Sequence, residues 1–244
     1  MNRILFLGGI AAALTIVGCG NSGGASNYKP KPPSKIESAE VQPGQEATLL
    51  PLAVGTQWVY TTAVRVTQKD GQSGSTTGEL TFRVTAVRDV PGGKEGDIDI
   101  INNEGKLAEK QSWRVDASGI TQTAGGDKGQ KFDPPLASVL FPVKLEETFT
   151  WKGIGPFPGG MAKTATSKSK VLGYEELDTD MGRMQGLAVE SRMSWTATDG
   201  KKGQSYGTTW WRPNYGFVRF RQEIQIGDLT AVQMFRLKSY TPGK

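Results

Sequence analysis

The chain has 244 residues and a formal net charge of +5, from 29 lysines and arginines against 24 aspartates and glutamates. It has no histidine and one cysteine, which removes the Ser-His-Asp triad, the usual catalytic zinc ligand sets and any intramolecular disulfide. The positive excess is mild and its clusters, such as Lys29-Pro30-Lys31 and Lys201-Lys202, are short, so no nucleic-acid footprint is present.

The apolar run from Ile4 to Val17 follows Arg3 and falls short of the roughly 20 residues that a spanning helix needs. A basic start, a short apolar stretch and small residues at its exit mark a secretory signal peptide, here residues 1–18. A buried core helix would be amphipathic, whereas this run is apolar all round and a polar tract follows it. Ile16-Val17-Gly18-Cys19 resembles a bacterial lipobox. The resemblance implies cleavage before Cys19, attachment of acyl chains such as palmitate to its sulfur, and frequent acylation of the new amino terminus. Loss of Arg3 leaves 28 basic and 24 acidic residues, a net of +4. One acyl chain holds a protein only marginally, and two or three retain it. Gly20 is not the aspartate associated with inner-membrane retention, so the expected address in a two-membrane cell is the outer membrane, facing the periplasm.

Residues 19–48 are rich in Gly, Ser, Pro and charge and have little to bury, so a disordered or polyproline-like tether is predicted. Residues 49–244 are predicted to form a single β domain. Trp58, Tyr60, Thr62, Val64 and Val66 share one parity. Leu80, Phe82 and Val84 repeat the alternation, and so do Leu187, Val189, Met193 and Trp195. Turn signals such as Asp70-Gly71, Pro91-Gly92-Gly93, Gly125-Gly126-Asp127 and Asp199-Gly200 separate about ten to twelve antiparallel strands. Only Pro135 to Phe141, PLASVLF, reads as a short helix.

The pattern echoes itself. In PLAVGTQWVY (51–60) and PVKLEETFTW (142–151), Leu52 matches Val143, Val54 matches Leu145, Trp58 matches Phe149 and Tyr60 matches Trp151. In SWRVDASGIT (112–121) and TWWRPNYGFV (209–218), Trp113 matches Trp210 and Gly119 matches Gly216. Chance likeness between amphipathic strands competes with duplication. A true duplication gives pseudo-repeats at about 50–122 and 141–220, each with a face too apolar to stand alone. Two such halves predict a strongly curved open barrel or a sandwich.

PLAVGTQWVY, FPVKLEETFTW, GYEELDTDMGRMQGLAVES and WWRPNYGFVRFR resemble segments of a group of bacterial envelope lipoproteins. That group has a Pro-Leu-x-x-Gly-x-x-Trp-x-Tyr opening, a Glu-x-x-x-Thr-x-x-Gly hairpin and a Trp-Tyr-x-x-x-x-Gly-Leu-Val closing strand. The chain departs at Glu146, where the opening has glycine. The resemblance covers most of residues 50–240 and implies a β fold and an envelope location, with no known reaction. Likeness to half-barrel lipid carriers of the periplasm is an analogy of fold alone.

Chemistry is sparse. Ser167-Lys168-Ser169-Lys170 contains a Ser-x-x-Lys, but residues three apart in a strand point to opposite faces. Asp178-x-Asp180-x-Gly182 starts like a calcium loop, yet Val189 stands where the bidentate glutamate belongs, which leaves a hairpin turn. Asp97 and Asp99 are expected on the wet face of an edge strand. Gly155-Pro156-Phe157-Pro158-Gly159-Gly160 lacks the lysine and helix of a phosphate cradle. Trp210, Trp211, Tyr215 and Phe217 crowd together, either as core or as a ligand groove. The expectation is a non-catalytic protein with no cofactor or metal. Its partners are the membrane, through acyl chains, and a hydrophobic ligand such as lipid. A structural role beside another envelope protein and a carboxylate-based glycan hydrolase are the alternatives.

Overall fold

A computed structural model describes residues 36–244, so residues 1–35, with the signal peptide, Cys19 and most of the tether, lie outside the described residues. Twelve strands follow one another: β1 (Gln57–Gln68), β2 (Ser73–Val90), β3 (Gly93–Asn102), β4 (Leu107–Asp116), β5 (Gly119–Gly125), β6 (Gln130–Leu140), β7 (Thr148–Phe157), β8 (Gly160–Thr179), β9 (Gly182–Ala197), β10 (Lys202–Arg212), β11 (Gly216–Ile226) and β12 (Leu229–Thr241). Each strand pairs antiparallel with its neighbours in sequence, and β1 returns to β12. The body is therefore a closed barrel, not the open barrel or sandwich expected. Closure comes from β1, which pairs along nearly its whole length with both β2 and β12 and leaves no edge there.

The predicted alternation is the inside–outside pattern of the wall. Trp58, Tyr60, Thr62 and Val64 are buried, and the residues between them are more exposed. The interior has three tiers. Trp58, Tyr60, Phe82, Phe217 and Phe235 fill one end. Phe132, Trp151, Phe157 and Trp195 fill the other. Between them, in strand order, lie buried Gln122, Ser167, Ser169, Gln222 and Gln233. Gln233 donates to Gln222 at 2.8 Å, and Ser169 bonds Ser191 at 2.8 Å, so part of the polar tier is satisfied by side-chain pairs.

PLASVLF is strand rather than helix. The three-residue spacing of buried Leu136 and Val139 looks helical, but it arises from a bulge: Ile120 pairs Val139 while Thr121 pairs Ala137. The extra residue returns both side chains to the inner face. Across the next seam β6 meets β7 at one bridging pair, Asp133 with Ile154. Pro134 and Pro135 have no N–H to offer there, and Trp151 Nε1 donates to Pro134 O at 3.0 Å instead.

That seam divides the barrel into β1–β6 and β7–β12, and the sequence echo falls on corresponding strands. The turn before β1 bonds Gly55 N–H to Val84 O and Val84 N–H to Thr56 O; the turn before β7 bonds Glu146 N–H to Val171 O and Val171 N–H to Glu147 O. Gly55 has φ +86° and Glu146 has φ +64°. Glu146 thus adopts the left-handed conformation of its matching glycine despite its Cβ. Bulges at Val84/Ala86 and Val171/Gly173 also correspond.

Residues 36–48, expected within the tether, lie against the barrel end. Ala39 N–H donates to Gln185 Oε1 and Val41 N–H to the Tyr174 hydroxyl, both at 2.9 Å. Asn214 N–H donates to Thr48 O at 2.8 Å. A 3₁₀ turn at Glu46–Leu49 then delivers Leu49 and Leu50 into the core. The apolar residues here are too few and too scattered to stand out in a polar stretch.

Candidate functional site

The four aromatics of the expected groove do not line one surface. Trp211 is buried and faces inward, its ring 6.1 Å from Trp113 and 5.8 Å from Phe217. Phe217 stacks on Tyr60 at 5.0 Å with 2° between planes. Tyr215 sits in the β10–β11 turn, 5.2 Å from the Tyr240 ring, with the Arg212 guanidinium 5.7 Å away. Trp210 lies on the outer wall, where Nε1 donates to Glu175 Oε2 at 2.8 Å and Arg219 stacks at 5.4 Å. Strand alternation separates Trp210 from Trp211, so Trp211, not Trp210, is the inward counterpart of Trp113.

Inside the barrel a cavity of about 50 Å³ is lined by Trp113, Leu136, Val189, Trp211, Phe220 and Gln222 among others. Buried Trp211 Nε1 has no hydrogen-bond partner among the described residues. The space suits a few waters and is well below the roughly 300 Å³ at which small-molecule sites begin.

The carboxylate candidates sit outside. Asp97 and Asp99 lie on β3, which pairs on both sides and is not the edge strand expected. Glu95, 7% exposed, accepts from Arg114 Nε at 3.1 Å and Nη2 at 2.9 Å and also pairs with Arg88. Asp97 accepts from Arg88 at 2.8 Å and from the Ser112 hydroxyl at 2.7 Å. Burial raises the Asp97 carboxyl, but hydrogen bonds from Arg88 and Ser112 and the charges of Arg88 and Lys110 outweigh it and hold the group below its ordinary value. A general acid needs the opposite shift; Asp97 instead joins Glu95, Arg88 and Arg114 in an ion network.

The sign of that shift gives a test. A lowered folded value means that Asp97 contributes stability above its unfolded value of about 3.9, and the contribution is lost as pH falls through the lower folded value. Asp97→Asn should therefore flatten the acid limb of the stability curve below about pH 4. At neutral pH it should cost no more than about 1 kcal/mol, because the network is partly solvated. Urea midpoints measured from pH 2 to 7 check both.

Asp180 belongs to the β8–β9 turn and is drawn onto the wall. Its N–H donates to Leu237 O at 3.0 Å, and its carboxylate takes the Thr61 hydroxyl and Arg236 at 3.5 Å. Ser167 faces inward while Lys170 pairs with Glu146 at 2.5 Å, so the Ser-x-x-Lys partners do not meet. Among the described residues no cluster of metal-ligating side chains occurs.

The remaining concavity is on the outer wall over β7–β9. A groove of about 540 Å³ is lined by Thr150, Lys152, Thr166, Lys168, Arg192 and Ser194 among others. Lys168 stands directly opposite Arg192 in the β8–β9 register. Arg192 stacks on Tyr206 at 5.0 Å and reaches Glu190 at 3.4 Å. A second hollow of about 640 Å³ continues past Thr164, Thr196, Lys202, Gln204 and Gln225. In sequence these side chains are ordinary wet-face alternation; only strand pairing sets Lys168 against Arg192.

No protein-family model matches the chain, and no curated protein matches it. Three solved structures are similar in outline. A lipoprotein from Parabacteroides distasonis is 16% identical with a TM-score of 0.45, covering 79% of this chain and 98% of its own. An exported protein from Bacteroides fragilis with a YmcC-like fold is 16% identical with a TM-score of 0.41, at the same coverage. The lipoprotein YmcC from Escherichia coli is 11% identical with a TM-score of 0.32, covering 79% of this chain and 87% of its own. These likenesses assign no activity.

Proposed function

We propose that the protein is a lipid-anchored, non-catalytic component of the bacterial envelope that presents its outer wall to an anionic envelope partner. The anchor reading rests on Ile16-Val17-Gly18-Cys19 at the end of the apolar run. The partner reading is carried by one observation, the groove in which Lys168 faces Arg192 with Lys152 on the neighbouring strand. Like charges placed opposite each other on a sheet are destabilising. A carboxylate or phosphate between them turns that repulsion into attraction, and Thr150, Thr166 and Ser194 supply hydroxyl donors beside it. A lipid held inside the barrel is disfavoured by the 50 Å³ cavity, and a glycan hydrolase by the arginine clamp on Glu95 and Asp97.

Two measurements test this reading. Cells fed an alkyne-tagged fatty acid should label the protein, and Cys19→Ala should lose both the label and membrane retention. Fluorescence anisotropy with labelled polyglutamate and polyphosphate should show salt-sensitive binding. Lys152→Glu with Lys168→Glu should weaken it about tenfold, or about 1.4 kcal/mol, without loss of thermal stability, since Lys168→Glu sets an opposite charge against Arg192. Binding that ignores both substitutions and salt would remove the wall from the proposal.

A further inference from the structure

We infer that the barrel end carrying the first described residues rests on the lipid surface through three exposed loop tips, Val54, Leu145 and Met181. The inference depends on the lipid anchor of the proposed function. The three side chains are 49%, 53% and 43% exposed. Single exposed apolar residues are common and need no explanation; what sets these apart is their position. In an antiparallel meander, odd-numbered strands begin and even-numbered strands end at one end of the barrel. Val54 precedes β1, Leu145 precedes β7, and Met181 is in the β8–β9 turn, so all three share that end. The described chain also starts there, with Glu37 O accepting from Arg212 at the end of β10 at 3.2 Å.

The tips are spread around the rim. Val54 and Leu145 occupy the same position in the matching turns, closed by Thr56 N–H to Ala53 O at 3.0 Å and Glu147 N–H to Lys144 O at 3.3 Å. Their strands, β1 and β7, stand six apart in the ring of twelve. A flat apolar surface can therefore be met at separated points, whereas a small ligand cannot bridge them. The acids flanking two of the tips are drawn to the wall: Glu146 by Lys170 at 2.5 Å and Asp180 by Arg236 at 3.5 Å. From Cys19 to Ile36 is 17 residues, 36 less 19, with a maximum reach of about 60 Å. An anchored chain of that length makes a weak second contact intramolecular, at an effective concentration in the millimolar range for short linkers.

All twelve strands of the closed barrel lie between Gln57 and Thr241, so the chain from Gly20 serves for the test. An N-terminal hexahistidine tag holds it on phosphatidylethanolamine–phosphatidylglycerol vesicles containing a nickel-chelating lipid, in place of acyl chains. This chain has no thiol, so Val54→Cys, Leu145→Cys, Met181→Cys and Leu107→Cys each carry one environment-sensitive dye. Leu107, equally exposed at 49%, is at the opposite end and is the control. The expected result is a blue shift on vesicle addition at positions 54, 145 and 181, with none at 107. No shift, an equal shift at 107, or a shift at only one tip overturns the inference. A shift without vesicles that grows with protein concentration indicates a second copy as the occupant and also overturns it. The nickel lipid makes this readout independent of acylation, so its failure is distinguishable from a failure of the Cys19 labelling.

Discussion

Phe217→Ala is expected to destabilise the barrel by about 3–5 kcal/mol, read as a lowered urea midpoint at unchanged slope. Phe217 is 2% exposed. Its ring stacks on Tyr60 at 5.0 Å, meets Phe82 edge-on at 5.5 Å and Trp211 at 5.8 Å, and lies 6.4 Å from Trp58. Removing it takes out the member shared by four aromatic contacts, each contributing about 0.5–1.5 kcal/mol beyond its buried area. The void would open into the cavity that Phe217 already lines, and rigid strands on all sides limit collapse. A domain stabilised by about 5–15 kcal/mol loses a large share of that to one substitution. Were Phe217 the floor of an open ligand groove, the loss would stay under about 1 kcal/mol, and calorimetry would separate the two cases. Tyr60→Phe is the milder comparator. It removes the hydroxyl that donates to Phe217 O at 2.8 Å and should cost about 1–3 kcal/mol for the stranded acceptor.

The second large effect lies at the other end. Gly203 pairs directly with Trp195, whose ring covers it so closely that an added Cβ would sit 2.2 Å from Cζ2 and 2.3 Å from Cε2. The indole cannot swing away. It stacks on Phe157 at 5.3 Å and donates from Nε1 to Pro158 O at 3.1 Å. Gly203→Ala should therefore cost about 1–3 kcal/mol by overpacking. Trp195→Ala should cost about 3–5 kcal/mol. In the Trp195→Ala background Gly203→Ala should cost almost nothing, a coupling energy of about 1–3 kcal/mol in a double-mutant cycle. Additive losses would mean that the glycine answers to backbone conformation instead of the ring above it.

Much of the wall was legible because strand side chains alternate with a period of two. Trp58, Tyr60, Phe82 and Trp195 each fall on the apolar parity of a half-buried strand, and they are buried. The echo aligns Glu146 with Gly55, and both residues share the left-handed turn. Parity failed where an extra residue intervened. The bulge in β6 imitated a helical spacing at Leu136 and Val139. Trp210 and Trp211 face opposite sides, as adjacent strand positions must, and the choice between core and groove that sequence leaves open falls to core for Trp211 and Phe217, which are buried.

By itself the amino-acid sequence determined the all-β antiparallel class, a range of about ten to twelve strands and the parity of the side chains along them, since each depends on local pattern. Only the tertiary structure decided that β1 closes on β12, that residues 36–50 cover one end, that the interior keeps a cavity of only about 50 Å³, and that Lys168 opposes Arg192. Closure and the covered end join segments far apart in the chain, and the Lys168–Arg192 register depends on the bulge at Val171/Gly173 inside one hairpin. Period-two patterning states which face a side chain takes and carries no information about which distant strand will lie beside it.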